Sequence, residues 1–122
     1  MTTIKEMMEK ILNDLKNVGD IEASAIVSRD GLLMASNISS NVRAETFAAM
    51  SATMLGAAET ATSELKKGVP ERVIIESKEG KVIAAGAGPK ALLIAMMRPE
   101  AGLGLALVEM GKAAEKVKQI LG

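Results

Sequence analysis

The sequence predicts an α/β domain in which a five-stranded antiparallel sheet carries helices on both faces. Three observations predict it. Two pairs of short apolar runs each flank a glycine-bearing turn, a further run is apolar at every position, and segments of helical period precede, separate and follow them. The resulting element order is α-β-β-α-β-β-β-α, and hairpin connections of this kind belong to antiparallel sheets. At 122 residues the chain reads as one domain spanning residues 1–122. A domain of that size buries roughly two-thirds of the surface its unfolded form exposes.

The first helix is expected over residues 3–17. Ile4, Met7, Met8, Ile11, Leu12 and Leu15 recur at helical spacing, and charged residues take the other face. Thr3 with Glu6 has the form of a capping box, and Gly19 marks the end. Strands follow over 24–28 and 32–36, joined by Arg29-Asp30-Gly31. Asp-Gly between apolar runs is a strong hairpin signal, because glycine accepts the positive φ of a tight connection. A second hairpin, 72–77 and 81–85, surrounds Lys78-Glu79-Gly80, so Gly31 and Gly80 are the two expected positive-φ positions. After Gly86-Ala87-Gly88-Pro89 comes the run 91–97, apolar throughout, which should be covered on both faces at the centre of the sheet. The last helix is expected from Pro99 to Leu121, with Leu103, Ala106, Leu107, Met110, Ala113, Ala114 and Val117 on its apolar stripe.

The middle helix, expected over 41–67 and closed by Lys66, Lys67, Gly68 and Pro70, is the unusual element. From Thr46 to Ala58 it carries no charge. A helix packed once on its own sheet shows polar residues on its outer face, whereas one neutral all round has more than one face to cover. Arg43, Phe47, Met50, Met54, Ala57 and Ala61 are the candidate interface residues on this helix. Arg72, Ile74 and Glu76 join them from the strand that follows, which is expected at a sheet edge, where pairing with a second copy would cover it. Of the nine methionines, Met50 and Met54 are assigned to binding and the others mostly to the core. Arg29 and Arg98 read as ordinary loop residues.

Composition narrows the function. Lys+Arg and Asp+Glu number 15 each, so the basic footprint of a nucleic-acid binder is missing. There is no Cys or His, which excludes Ser-His and Cys-His triads and Cys/His metal sites, and Phe47 is the one aromatic residue. Gly80-Lys81 and Gly111-Lys112 lack both the earlier glycine and the hydroxyl residue of a phosphate-cradling loop. Glu71, Glu76 and Glu79 are better explained by a solvated strand face than by a metal site. No cofactor, metal or catalytic residue is expected. With no signal-peptide pattern and no run of 18 apolar residues, neither export nor membrane insertion is expected, and the predicted location is cytoplasmic.

Taken in order, Val27-Ser28-Arg29-Asp30-Gly31-Leu32, the alanine-rich helix, Gly68, Val73-Ile74-Ile75-Glu76, Gly80 and Leu103-Gly104-Leu105 resemble the Roadblock/LC7 family of dynein-light-chain and MglB-like domains. The resemblance covers essentially the full length. It implies a profilin-like sandwich that forms homodimers, with the long middle helices side by side and the third strands joining two sheets into one. It further implies a non-catalytic dimeric regulator of a Ras-like small GTPase, bound through the paired middle helices. The alternative is a passive homodimeric scaffold within a larger complex, without effect on GTP hydrolysis. Functions that rest on the terminal extensions of longer members are not expected of these residues.

Overall fold

A computed structural model of the chain describes residues 2–18, 20–38 and 43–122. The expected helix end at Gly19 and helix start at Asn41 lie outside the described residues. The elements are α1 (Ile4–Lys16), β1 (Ile21–Ser28), β2 (Leu33–Asn37), α2 (Ala44–Glu64), β3 (Arg72–Glu76), β4 (Lys81–Gly86), β5 (Ala91–Met97) and α3 (Leu103–Leu121). The strands form one antiparallel sheet in the order β2-β1-β5-β4-β3. The uniformly apolar β5 is its middle strand, as expected, and β3 is an edge.

The two faces of the sheet are covered unequally. Alternation along each strand sends Ile26, Ile83 and Leu93 to the side of α1 and α3, where they pack with Leu12, Met110 and Val117. The opposite side receives Ala25, Val27, Ala84 and Ile94, and α2 lies over these small residues with Ala48 as its buried contact. Short side chains let the helix come close. A Cβ added at Gly31 would sit 3.1 Å from the Ala49 Cα, so the β1–β2 turn touches the α2 backbone only because residue 31 lacks a side chain.

The helix ends follow local chemistry. Thr3 caps α1: its hydroxyl accepts from the Glu6 amide and the Glu6 carboxylate accepts from the Thr3 amide, both at 3.1 Å. These bonds, the backbone one foremost, hold the Glu6 carboxyl below its ordinary range. α2 ends earlier than expected, in a Schellman motif. The Lys67 amide donates to Thr62 O at 2.8 Å and the Lys66 amide to Ser63 O at 3.0 Å. The left-handed position of that motif is Lys66, at φ 56°, where Gly68 was expected to serve. The chain must reverse directly after Leu65, before Gly68 is reached.

Three other expectations shift. β1 begins at Ile21 instead of residue 24, since the exposed Glu22 masks the start of the pairing with β5. α3 begins at Leu103 after an extended Gly102, and Pro99 lies in the preceding turn. That turn is held off the helix by the Lys81 ammonium, which donates to Ala101 O at 2.7 Å, and by the Ala101 amide donating to Arg98 O at 3.1 Å. Of the two expected positive-φ glycines only Gly31 (φ 91°) has that conformation. Gly80 closes its turn by accepting the Ser77 amide at 2.9 Å.

Gly31→Val should therefore destabilise the fold by about 2 kcal/mol or more, from left-handed strain together with the Ala49 clash. Lys66→Gly should stabilise it by about 1 kcal/mol. Denaturant unfolding of both variants checks the two signs. The Glu6 carboxylate gives a third expectation. Its folded pKa is lowered, so the cap's contribution is complete above the unfolded-state value and is lost as pH falls through the folded value. Glu6→Gln should remove that part of the pH dependence of melting.

Candidate protein-interaction site

α2 presents an unusual surface for a helix of its length. Of its 21 residues only Ala48, Ser51 and Leu55 are buried. Thr53, Thr60 and Thr62 turn their hydroxyls back onto the helix, donating to the carbonyls of Ala49, Gly56 and Ala58 at 3.0–3.1 Å. Thr53 and Thr60 are exposed and share one side of the helix with Ala49 and Gly56. The upper face of α2 is thus neutral and weakly polar, with little hydration to lose on contact.

The candidate residues on α2 occupy one flank. At 100° per residue, Arg43, Phe47, Met50, Met54, Ala57 and Ala61 fall along a single line, to one side of the buried Ala48–Ser51–Leu55 line. Arg43 is the extended, exposed residue that precedes the first turn. The flank faces the β3 edge: Phe47, Met50 and Met54 line a hollow of about 230 Å³ with Ile75 and Val82. Met50 is 66% exposed and Ile75 43% exposed, large values for side chains of that size beside each other.

The strand candidates do not share this face. Ile74 pairs with Ile83, which belongs to the core beneath α3, whereas Ile75 pairs with Val82 in the hollow under α2. Arg72, Ile74 and Glu76 therefore project to the α3 side, and Val73 and Ile75 to the α2 side. Arg72 lines a larger cavity there, of about 530 Å³, with Ile83, Leu107 and Met110. The flank of α2 and the triplet on β3 meet at the same sheet edge but on opposite faces of it. Ile75 was missed by the sequence reading, although the period of two along Val73-Ile74-Ile75 separates it from Ile74.

Arg29 is not an ordinary loop residue. Its Nη2 donates to Gly88 O at 2.8 Å, and its Nη1 lies 3.5 Å from Glu59 Oε2 on α2. Its own amide donates to Lys90 O at 3.3 Å. A Cβ on Gly86 would approach Nη2 to 3.1 Å, so that glycine makes room for the guanidinium. The buried Nε has no partner among the described residues. One side chain thus ties the β1–β2 turn, the β4–β5 turn and the second half of α2 together. Being folded inward, it is not presented to a partner's active site. Arg98 also has a structural partner, pairing with Asp20 where β5 leaves and β1 enters the sheet.

With this geometry in place, comparison with known proteins is direct. The family model for the Roadblock/LC7 domain matches residues 7–97. The chain belongs to the Roadblock/LC7 family. An uncharacterised protein of Methanocaldococcus jannaschii is 35% identical over 112 residues, 92% of this chain and 97% of that protein. Among solved structures, Myxococcus xanthus MglB superposes with a TM-score of 0.89 at 15% identity, over 96% of this chain and 89% of its own. A Roadblock/LC7 domain from Streptomyces avermitilis gives 0.86 at 19% identity, over 93% of this chain and 96% of its own. A profilin from Schizosaccharomyces pombe has a TM-score of 0.66 at 15% identity, over 93% of this chain and 98% of its own, so the Roadblock/LC7 sandwich is profilin-like.

In this Roadblock/LC7 chain, Arg29→Gln should cost about 1 kcal/mol, the scale of a charge-assisted hydrogen bond that is partly solvated. The effect should be local. Amide exchange should accelerate most in residues 57–64 of α2, where no residue is buried.

Proposed function

We propose that residues 1–122 form one Roadblock/LC7 domain that acts as a dimeric, non-catalytic regulator of a Ras-like small GTPase. The observation that carries this reading is the surface of α2, neutral for three turns and edged by the exposed Met50. It is a surface for a protein, because it offers no convergent polar groups to orient a small substrate. The likeness to MglB in fold and the family membership support the same reading. In this role the protein needs no cofactor or metal. It would act in the cytoplasm by holding the GTPase's own switch and catalytic groups in position rather than by supplying any. Among the described residues no helix is long and apolar enough to cross a membrane.

The dimer in this reading is formed at the β3 edge and the adjoining flank of α2, through Phe47, Met50, Met54, Ala57 and Ala61. Arg43 stands at the start of that flank, where it would meet acidic groups of the partner. The second reading, a passive scaffold, uses the same surfaces and differs only in leaving nucleotide turnover unchanged.

GTP hydrolysis by a Ras-like GTPase of the same organism, measured with increasing amounts of this protein, separates them. Concentration-dependent acceleration is expected. A stable complex with unaltered turnover would establish the scaffold instead, and no complex would remove both. Met50→Glu should abolish the effect by placing a charge in the apolar flank, while circular dichroism should still show a folded chain because Met50 is exposed in the single chain.

A further inference from the structure

The cavity of about 530 Å³ lies on the sheet face opposite α2, between α3 and β4, with Arg72 of β3 at its edge. Its volume falls within the range of small-molecule sites, roughly 300–1,000 Å³. Its floor is apolar and scarcely reaches water, since Ile83 is fully buried and Met110 is 1% exposed. Its wall holds a residue that packing within the domain does not explain. Gly111 sits in the interior of α3, where glycine weakens a helix, yet a Cβ added there would meet no atom within 4 Å. The missing side chain leaves the cavity wider than the fold itself requires.

The cavity is cationic at one end only. β4 and α3 run in the same sense: the Lys81 ammonium at the start of β4 reaches Ala101 O, just ahead of α3, and Lys118 near the end of α3 crosses the turn that follows β4. Gly88 makes that crossing possible, because a Cβ there would fall 2.8 Å from the Lys118 Cγ. Arg72 pairs with Ala85, next to the same turn. Arg72 and Lys118 therefore stand at the end marked by Gly86 and Gly88, and Ile83, Leu107 and Met110 lie toward the other. Lys118 has no ion pair among the described residues. Arg72 Nη2 lies 3.6 Å from Glu71 Oε2, but the Glu71 side chain is 85% exposed, a loose pair.

We propose that this cavity binds an amphipathic carboxylate, an acyl chain with a single anionic head. The guanidinium of Arg72 offers two parallel N–H donors to the two carboxylate oxygens, Lys118 adds a second positive charge, and the acyl chain lies along Ile83, Leu107 and Met110. From Leu107 to Lys118 the wall runs about 16 Å along the helix axis, at about 1.5 Å per residue, so an elongated molecule fits it. The rim sets the charge of the head. Glu71 and Glu115 also border the cavity, and a doubly charged phosphate would be set against them more strongly than a carboxylate. The site is on the other face of the sheet from the α2 surface and does not depend on the regulatory reading given to that surface.

Dodecanoate, kept below its micelle concentration and added to the full chain labelled at its methionine methyl groups, tests the site. The Met110 resonance, assigned with Met110→Leu, should move in a saturable way, and those of Met50 and Met54 on the α2 side should stay in place. In calorimetric titrations Arg72→Gln and Lys118→Gln should each bind dodecanoate about tenfold more weakly than wild type. Dodecanol and dodecyl phosphate should bind wild type more weakly than dodecanoate, and Gly111→Leu, which fills the wall, should lose binding. Circular dichroism confirms that each variant is folded; if Gly111→Leu is not, the two exposed charge variants decide. No shift at Met110, a shift confined to Met50 and Met54, or affinity unchanged in both charge variants would overturn the site. Tighter binding of the phosphate or the alcohol than of the carboxylate would overturn the ligand class.

Discussion

The structure turns on an imbalance between the two faces of its sheet. One face is filled by large branched side chains, Leu12, Ile26, Ile83, Leu93 and Val117 among them, and two helices share that burial. The other face offers alanines, Val27 and Ile94. Hydrophobic stabilisation scales with apolar area removed from water, so the second layer contributes much less than the first. α2 compensates by proximity instead of by bulk. It descends until the β1–β2 turn meets its backbone, which the conformation and the missing side chain of Gly31 both permit.

A helix seated on alanines is held shallowly, and two consequences follow. Its position needs a polar restraint, and Arg29 supplies one by joining Glu59 on α2 to Gly88 on the β4–β5 turn. The restraint lies inside the domain, which leaves the outer surface of α2 free of it. The second consequence is that the flank toward β3 stays uncovered. Among the described residues no element fills the hollow between Met50, Met54 and Ile75, and no strand lies beyond β3 in the sheet. An open edge and an open hollow at the same boundary are the two things a neighbouring copy would close together.

What the sequence made legible was whatever is encoded over a few consecutive residues. The capping box at Thr3 and Glu6, the Asp30-Gly31 turn and the continuous apolar run of β5 each depend on local spacing, and each occupies its expected place. What escaped depended on contacts distant in sequence. Arg29 looks like any turn residue until Glu59 and Gly88 are brought to it. Pro99 has the form of a helix start, yet the Lys81 ammonium fixes the turn around it and delays α3 to Leu103. Lys66 occupies a position that glycine usually takes, because the demand to reverse the chain after α2 outweighs one residue's left-handed strain. The interface candidates rest on the charge-free stretch of the middle helix and on the edge position expected for the strand after it. An edge position does not tell which face of the strand a residue takes, and only the pairing of Ile74 with Ile83 and of Ile75 with Val82 separates the two sides.

That separation of faces matters for how such a protein could regulate a partner without chemistry of its own. The neutral flank and top of α2 lie on one side of the sheet, and the charged triplet of β3 on the other. The charged groups of β3, Arg72 and Glu76, lie on the α3 face, and the stretch of α2 from Thr46 to Ala58 carries none that would have to be desolvated on contact. The absence of His and Cys and the inward turn of Arg29 are then of one piece with the rest. In the proposed role a weakly hydrated platform would act by fixing the conformation of what it binds, and for that its shape has to be held more firmly than its surface is reactive.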